Sequence, residues 1–389
     1  MIGTISRRQA GPRPRRRWRR VVAVAVLVGL TWMSLSYARA LTYPGSAPWS
    51  DRTVEWIRAN GGGRVVTAVE QWYYSHHRAS AGDAHAALRR LTAPARGRAP
   101  ESASASSSRG RAELPATVQS PVAHPAAGEG IWQPVGPAPS GRPALETTVF
   151  QPNADDPNMV VGAAWMDTRA LRATLVAGTV VPGGSGWAWH SEVPPAERSH
   201  LVAAFNSGFK FQDTPGGYYA EGRTAVPLVD GQASFVVMAD GTATVADWGR
   251  DVRMGPSVRA VRQSLHLIVD HGRPADDLTS NVQGDYGTRR QQLQYTWRSG
   301  VGSDGHGGLV YVAGAGLDLR TLASAMVDAG VVRGMQLDIH DGKSTFNLFR
   351  PDPGVAGGAV GTKLMPNMQR PASRYLQPDQ RDFVAMTVR

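Results

Sequence analysis

Apolar and polar positions change their period within residues 317–345, and the change predicts a helix followed by a strand. Apolar residues first recur at helical spacing, at Leu319, Leu322, Ala323 and Met326. Asp318 stands at the position of an N-terminal helix cap, and Gly330 stands where a helix would end. Beyond Gly330 the period becomes two, which predicts a strand. Its core face carries Met335, Leu337 and Ile339, and its other face carries Gln336, Asp338 and His340.

The polar face of this strand has two interpretations. Together with the turn 341–345 that follows (DGKST), it is the floor of a binding or catalytic site. Alternatively, it is the wet face of an ordinary edge strand, because antiparallel sheets commonly leave one face in water.

Short strands separated by turn signals fill the rest of residues 131–389. Strands are predicted at 160–165, 171–176, 201–205, 235–238, 243–248, 266–270, 300–302 and 309–312, with a short helix at 194–200. The helix that begins after Asp318 is the one strong helix predicted in this region. The predicted fold class is therefore α+β, with a sheet-dominated single catalytic-type domain that contains few helices.

A basic segment and an apolar segment open the chain. Residues 1–20 hold eight Arg and no acidic residue, and 21–38 is an uncharged run long enough to span a bilayer as a helix. The basic flank predicts a cytoplasmic tail at 1–20 and a single-pass transmembrane signal-anchor at 21–40. The alternative is a cleaved signal peptide, because Ala38-Arg39-Ala40 fits a small-x-small cleavage site. In both cases the remaining chain is predicted to be extracytoplasmic.

Residues 41–130 connect the apolar segment to the body. The first part, 41–78, is predicted to be a juxtamembrane amphipathic segment of two short helices separated by Gly61-Gly62-Gly63. Its aromatic side chains lie either at the membrane interface or against other protein groups, and they are Trp56, Trp72, Tyr73 and Tyr74. Residues 79–130 are rich in Ala, Pro, Ser, Gly and Arg, so they are predicted to be a disordered linker.

The charge distribution argues against a nucleic-acid partner. The formal net charge is +11, from 42 Lys and Arg against 31 Asp and Glu. Because the excess lies upstream of residue 131 and the body is nearly neutral, it indicates membrane topology rather than a groove for nucleic acid. The chain contains no Cys, which excludes disulfides and thiolate metal sites.

Two basic clusters are candidates for binding an anion. In the first, a strand ends at 206–208 (NSG) and Lys210 follows, whose ammonium group can hold an anion. The alternative is an ordinary turn. In the second, Arg298 precedes a small-residue strand, and its planar guanidinium suits phosphate or carboxylate. The alternative is a surface Arg stacked on Trp297.

Asp338 and Asp341 are the candidate acid, base or nucleophile. The sequence Asp-x-His-Asp at 338–341 also has the composition of a hard-metal ligand set, but it lacks the spaced series of a calcium loop. Neither a metal nor a cofactor is therefore predicted. The motifs G-x-S-x-G, G-x-x-x-x-G-K and H-E-x-x-H are absent, which argues against the hydrolases, P-loop proteins and metalloproteases that carry them.

Three segments in this order resemble the phosphodiester glycosidase family, as a divergent, bacterial-type member. They are AAFNSGF at 203–209, WRSGVGSDGHGGLVYVAG at 297–314 and LDLRTLASAMVDAGVVRGMQLDI at 317–339, so the resemblance covers roughly residues 150–350. Four residues fall on motif positions of the family, namely Asn206, Gly208, Arg298 and Asp338. The sequence departs from the family after Asp338, where residues 339–345 (IHDGKST) replace the usual glycine- and serine-rich turn.

The resemblance implies that residues 131–389 form a phosphodiester glycosidase-like domain. The chain would then be a membrane-anchored extracytoplasmic hydrolase that cleaves a sugar-1-phosphodiester in a cell-envelope glycan or related conjugate. The predicted catalytic residues are Asp338 and Asp341, and the predicted substrate- and phosphate-binding residues are Asn206, Gly208, Lys210, Arg298, His340, Lys343 and Ser344. Two other hypotheses stay open: a non-catalytic module that binds an anionic cell-envelope polysaccharide, and a scaffold whose segment 53–74 recruits a membrane partner.

Overall fold

The computed structural model describes residues 15–76, 88, 112–136, 143–287, 294–355 and 357–389. The chain divides into two compact units. The first comprises residues up to 43 together with 48–66, and the second comprises 44–47 and the chain from 67 to 389. Most of the predicted cytoplasmic tail, and the part of the predicted linker between 79 and 111 other than residue 88, lie outside the described residues.

Helices make up the first unit. They are α1 at Arg15–Thr42, α2 at Trp49–Ile57, a π-helical turn at Arg58–Gly62, and α3 at Gly63–His76, which continues into the second unit. Within α1, Trp18–Thr42 has a mean hydropathy of 1.9 and is long enough to cross a membrane. Gly61 has a φ of +86°, which interrupts the helical path between α2 and α3 as the glycine run predicts.

Aromatic contacts pack α2 on α1 within this unit. The rings of Tyr37 and Trp56 lie 5.0 Å apart, and the Trp56 indole N–H donates to the Ser36 hydroxyl at 3.1 Å. The Tyr37 and Thr53 hydroxyls share a hydrogen bond of 2.9 Å. Trp56 therefore packs on the end of α1 that carries Ser36 and Tyr37.

Three sheets of antiparallel strands form most of the second unit, which confirms the sheet-dominated fold class. In chain order the strands are β1 Gln133–Pro134, β2 Leu145–Phe150, β3 Val161–Asp167, β4 Leu171–Val176, β5 Leu201–Asn206, β6 Tyr218–Ala220, β7 Arg223–Val226, β8 Ala233–Met238, β9 Ala243–Asp247, β10 Val258–Gln263, β11 Leu267–Asp270, β12 Arg273–Pro274, β13 Thr296–Ser303, β14 Gly308–Leu317, β15 Arg333–Gln336, β16 Phe346–Pro351, β17 Ala359–Lys363 and β18 Phe383–Val388. A short 3₁₀ helix occupies Pro195–Glu197, inside the segment predicted as helical.

One hydrophobic core joins the three sheets. The sheets have the orders β1-β2-β3-β14-β13-β15-β11-β12, β7-β6-β10-β8-β9 and β17-β16-β5-β18-β4. The Phe205 ring of the third sheet lies 6.3 Å from the Phe235 ring of the second and 5.4 Å from the Tyr311 ring of the first. All three side chains are buried, so the face of β5 that carries Phe205 sits where the sheets meet.

The predicted helix is present as α4, at Leu319–Asp328, and it packs on the eight-stranded sheet. The Asp318 carboxylate caps it by accepting a hydrogen bond from the Thr321 N–H at 2.7 Å. The predicted apolar face is buried. A Cβ added at Gly300 would lie 2.5 Å from the Met326 sulfur, so the small residues of β13 allow the helix to approach the sheet.

The strand after α4 is shorter than predicted. β15 ends at Gln336, and Asp338 lies beyond it because its N–H bonds to Ser207 O rather than continuing the ladder. Leu337 and Ile339 are buried, as predicted. Gln336 was expected on a shared polar face with Asp338, but its side chain is fully buried, opposite Gly300 of β13.

The ordered body begins before residue 131, which corrects the predicted linker boundary. Residues 112–130 pack on the sheets, with Ala112 and Val118 buried. The Glu129 carboxylate accepts hydrogen bonds from the Ala126 N–H at 2.8 Å and the Gln151 N–H at 2.7 Å. These contacts hold a Pro- and Ala-rich segment whose composition alone predicts disorder.

Candidate active site

Main-chain hydrogen bonds bring three chain segments together at the end of β5. The Asp338 N–H, just beyond β15, donates to Ser207 O at 3.1 Å. The Asn206 N–H donates to Thr345 O at 3.1 Å, immediately before β16. The segments that the sequence singled out at 206–210 and 338–344 are therefore neighbours in the structure.

Asn206 is the hydrogen-bonding centre of this junction. Its side-chain oxygen accepts from the Thr345 N–H and from the Tyr311 hydroxyl, each at 2.9 Å, and its amide nitrogen donates to the Ser299 hydroxyl at 3.0 Å. Burial raises the pKa of the Tyr311 hydroxyl well above its usual value, which keeps it protonated as a donor. Because Asn206 is buried, it holds the turn in place from beneath.

Two hydroxyl groups fix the main chain at Asp338. The Ser299 hydroxyl donates to Asp338 O at 3.0 Å, and the Ser344 hydroxyl donates to the same oxygen at 3.3 Å. Ser344 was predicted to contact substrate, and the structure instead places its buried side chain under Asp338. The carboxylate is thus held on a main chain anchored from two directions.

The Asp338 carboxylate forms an ion pair with Arg381. One Arg381 nitrogen lies 2.9 Å from Asp338 Oδ2, and the Ile339 N–H donates to Oδ1 at 3.0 Å. A second Arg381 nitrogen donates to Gly208 O at 2.9 Å. The Asp338 side chain is 14% exposed, so a ligand can reach a carboxylate whose position is fixed.

Lys210 lies within electrostatic range of this ion pair and of Lys343. The pKa of the Lys210 ammonium is lowered from 10.5 to about 8 by burial first, and then by the positive charges of Arg381 and Lys343. The carboxylates of Asp338 and Asp213 oppose this shift. The charges of Arg381 and Lys343 therefore both act on Lys210, and this concentration of positive charge favours the binding of an added anion.

Arg374 supports the turn that carries Lys343. Its guanidinium donates to Gly342 O at 3.2 Å, to Lys343 O at 3.3 Å and to the Thr345 hydroxyl at 2.8 Å. It also forms a buried ion pair with Asp379 at 2.6 Å. Neither charged residue stands in a sequence motif.

The Asp379 carboxylate stays ionised although it is buried. Burial by itself raises the pKa of this carboxyl, but the charge of Arg374, the hydrogen bond from Arg374 and the charge of Arg370 outweigh it and lower the pKa to about 2. The Arg381 N–H also donates to Asp379 Oδ1 at 2.9 Å. Asp379 therefore couples the support of the turn to the backbone of Arg381.

His340 lies at the border between the site and α3. It adopts a φ of +81°, and its Nδ1 is 3.2 Å from the Thr296 hydroxyl. Its Nε2 lies 3.8 Å from the Glu70 carboxylate of α3. Asp341 follows in the turn and is half-buried.

Arg298 is not part of this group of charges. Its side chain is fully buried and donates to Leu317 O and to Gln294 O, each at 2.9 Å. Side chains alternate along a strand, so Ser299 faces the site while Arg298 faces α4. Burial lowers the pKa of Arg298 to about 10, and the Asp318 carboxylate partly offsets this effect.

Gly208 allows close packing at the end of β5. A Cβ at this position would lie 2.7 Å from the Ser264 Cβ, which leaves no room for a side chain. Beneath it, the buried Arg262 pairs with Asp382 at 2.6 Å and donates to Phe209 O. Arg262 thus fixes the chain between Gly208 and Lys210.

Sequence patterns did not indicate Arg262, Arg374 or Arg381. The one available signal was the alternation of acidic and basic residues at 379–382 (DQRD), which is unusual directly before a buried strand. Among the described residues, no group of three or more His, Asp or Glu side chains is placed to hold a metal ion.

Comparisons with known proteins show distant structural likenesses. No family model matches the chain, and no curated protein sequence matches it. It is similar to the catalytic domain of zebrafish N-acetylglucosamine-1-phosphodiester alpha-N-acetylglucosaminidase, auto-inhibited by its pro-peptide, with 17% identity, a TM-score of 0.43, and coverage of 64% of this chain and 85% of that one.

Two further solved structures have lower similarity. One is a hypothetical protein from Synechocystis, with 12% identity, a TM-score of 0.35, and coverage of 59% of each chain. The other is a putative exported protein from Burkholderia pseudomallei, with 11% identity, a TM-score of 0.35, and coverage of 59% of this chain and 74% of that one.

Proposed function

We propose that the protein is a membrane-anchored extracytoplasmic hydrolase that cleaves a sugar-1-phosphodiester in a cell-envelope glycan or related conjugate. The observation that carries the proposal is the partly exposed Asp338 carboxylate, held 2.9 Å from Arg381 and within electrostatic range of Lys210, on which Lys343 also acts. This arrangement combines a fixed carboxylate with several cations, which suits a substrate that is anionic and develops positive charge during reaction.

The cations bind the phosphate group in this proposal. Arg381, Lys210 and Lys343 neutralise the phosphodiester and the additional charge that appears on its oxygen as the bond breaks. The anomeric carbon–oxygen bond breaks, and its electron pair leaves with the phosphate as a phosphomonoester. Because phosphate is a good leaving group, no strong general acid is required at the leaving oxygen.

Asp338 acts at the anomeric carbon. The sugar ring passes through an oxocarbenium-like state, and a negative carboxylate stabilises that positive charge or attacks the carbon. Water supplies the hydroxyl group of the released sugar, and its remaining proton goes to solvent or to the phosphomonoester. Asn206, Gly208 and Ser344 position the site, while His340 and Asp341 stand at its border.

The proposed location at a membrane rests on α1 and on the basic residues at the start of the chain. Within α1, Trp18–Thr42 has the length and hydropathy of a membrane span, and residues 1–20 are strongly basic. We therefore propose that α1 remains as an anchor, with its N-terminus in the cytoplasm and the sheets outside.

Release of free sugar from a synthetic sugar-1-phosphodiester tests the proposal. Wild-type protein should release one free sugar for each phosphomonoester formed, and Asp338→Asn should bind the compound without cleaving it. If wild type binds the compound and never cleaves it, catalysis at this site is disproved.

That outcome would favour a non-catalytic module that binds an anionic cell-envelope polysaccharide. The specific observation behind this second candidate is the concentration of cations at the site, where Arg381 pairs with Asp338 and the charges of Arg381 and Lys343 act on Lys210. In that case Asp338→Asn should bind the polysaccharide more tightly than wild type, because it removes a negative charge from beside the cations.

A further inference from the structure

We propose that one exposed face of α3 lies on the lipid surface and holds the candidate active site beside the membrane. The lipid contact follows from α3 itself. Its consequence, that the sugar phosphodiester is carried on a lipid, rests on the function proposed above.

The face in question consists of Val65, Val69, Trp72 and Tyr73. These residues are spaced by four, three and one positions, which places them on one side of a helix. They are 65%, 58%, 61% and 42% exposed, respectively. A continuous stripe of aliphatic and aromatic side chains is therefore open to solvent on a helix of a chain that also carries a candidate membrane span.

The composition of this stripe suits the interface of a bilayer. Trp and Tyr combine a large apolar ring with a polar N–H or O–H group, and they concentrate where the acyl chains meet the headgroups. The chain also leaves the end of α1 at Thr42 only a short distance before α2 and α3 begin. If α1 spans a membrane, α3 follows it closely enough along the chain for lipid to be within its reach.

A different side of the same helix contacts the candidate site. Glu70 is one residue after Val69 and three before Tyr73, so its side chain points about 100° from Val69 and about 60° from Tyr73 around the helix axis. Its carboxylate lies 3.8 Å from Nε2 of His340, which precedes the Lys343 turn. In this arrangement α3 would contact lipid with one side and His340 with another. The site would then lie within one helix diameter, roughly 10–12 Å, of the lipid headgroups.

Within the second unit, the short segment 44–47 also contacts the body. The Arg370 guanidinium donates to the Ser46 hydroxyl at 2.9 Å, and Ser46 follows the end of α1 at Thr42. Arg370 lies 3.7 Å from Asp379, which belongs to the support of the Lys343 turn. Two juxtamembrane segments thus attach to the part of the body that carries the site.

The absence of Cys from the chain makes this inference directly testable. Single-cysteine variants Val69→Cys and Trp72→Cys of the full chain would carry an environment-sensitive fluorophore, in nanodiscs of phosphatidylcholine and phosphatidylglycerol. Val282→Cys is the matched control, because it replaces a valine that is 76% exposed on the body. Nitroxide groups on the upper acyl chains should quench the fluorophores at 69 and 72 and leave the one at 282 unchanged.

The opposite result overturns the inference. If the fluorophores at 69 and 72 are quenched by aqueous iodide as strongly as the one at 282, the face of α3 does not lie on lipid. Because the nanodiscs contain no protein besides this chain and the scaffold protein that encircles the lipid, the same result is expected if this face binds a protein partner. The measurement uses no substrate, so it decides the lipid contact whether or not the protein is a hydrolase.

A second measurement tests the consequence for the substrate. The ratio of cleavage rates for a lipid-linked and a water-soluble sugar phosphodiester should fall in the double variant Trp72→Ala/Tyr73→Ala. An unchanged ratio, with quenching at 69 and 72, would show that α3 meets lipid without selecting a lipid-linked substrate. Failure of wild type to cleave either compound would instead count against the proposed function.

Discussion

Arg381 joins the two parts of the candidate site, because its guanidinium contacts the Asp338 carboxylate at 2.9 Å and the Gly208 carbonyl at 2.9 Å. Asp338 follows β15, and Gly208 follows β5. The pairing of β18 with β5 brings Arg381 to this position, since Phe383 lies opposite Asn206. A residue near the end of the chain therefore completes a site that begins at the end of β5.

The first prediction concerns the charge of Asp338. Asp338→Asn keeps the shape of the side chain and removes the charge that stabilises the oxocarbenium-like state. Turnover of a sugar-1-phosphodiester should fall at least about 100-fold, the scale observed when one preorganised electrostatic group is lost. Binding of the anionic substrate should be retained or become slightly tighter. Sugar release and equilibrium binding, measured on the same preparation, check both effects.

Asp213→Asn is the matched control for this prediction. Asp213 is exposed, and like Asp338 its charge acts on Lys210. If Asp213→Asn loses as much turnover as Asp338→Asn, the effect comes from the field at Lys210 rather than from a carboxylate at the anomeric carbon.

The second prediction concerns Arg381. Arg381→Ala should weaken binding of the phosphodiester by about 10–100-fold, the loss expected for a charged hydrogen bond. The loss should diminish as salt rises, because ions screen the interaction in wild type. Arg381→Lys keeps the charge and should recover part of the affinity. Titrations at low and high salt check this, and a loss independent of salt would assign Arg381 a structural role only.

Local patterns were sufficient for the elements around the site. The helical spacing after Asp318 and the capping position of Asp318 are both present in the structure, since each depends on residues within one or two turns. The alternation from Met335 to Ile339 also predicted the burial of Leu337 and Ile339, but it placed Asp338 inside the strand, whereas β15 ends at Gln336.

Local patterns could not predict the side-chain contacts that depend on pairing between strands far apart in the sequence. The contact of Arg381 with Asp338 requires the register of β18 on β5, and no local period carries that information. The sequence also could not predict on which side of β13 the Arg298 side chain lies, because both faces of that strand are buried. In such a strand the polarity of neighbours does not tell which side chains face the site.

The third prediction is that substrate affinity depends on pH through the ionisation of Lys210. The pKa of Lys210 is about 8, so its ammonium is charged below this pH and neutral above it. Substrate affinity should therefore fall as the pH rises through about 8. Lys210→Met should show weaker affinity at neutral pH and no such fall. An identical pH profile in wild type and Lys210→Met would show that Lys210 does not contribute to binding.

The lowered pKa of Lys210 also affects the stability of the folded protein. Since folding lowers the pKa of Lys210 from 10.5, the unfolded chain binds more protons between about pH 8 and 10.5, and this group's contribution to stability rises with pH there. Lys210→Met should be more stable than wild type near neutral pH, with an advantage that shrinks as pH rises through this range. Urea unfolding at several pH values measures the difference.

The fourth prediction concerns the buried pair of Asp379 and Arg374. Folding lowers the pKa of Asp379 from 3.8 to about 2, so its contribution to stability is present above about pH 4 and is lost as the pH falls toward 2. Asp379→Asn should lose about 3–5 kcal/mol at neutral pH, because it leaves the buried Arg374 charge without its partner. The variant should also lose the step in stability between pH 4 and 2 that wild type shows.

Asp276→Asn is the control for this measurement, because Asp276 is exposed. It should unfold at the same urea concentration as wild type at neutral pH. If it is destabilised as much as Asp379→Asn, the effect reflects net charge rather than the buried pair.

The last prediction separates Arg298 from Arg381. Arg298→Met has a side chain of similar length, but it leaves the carbonyl groups of Leu317 and Gln294 without their donor. The free energy of unfolding should fall by about 1–3 kcal/mol, the penalty for buried polar groups that lose a partner. In the folded protein, however, substrate affinity and its dependence on salt should remain those of wild type, since the buried Arg298 side chain faces α4. Urea unfolding and salt-dependent binding of one sugar phosphodiester measure the two properties independently. If Arg298→Met stays folded and binding loses its salt dependence, Arg298 rather than Arg381 is the phosphate-binding arginine.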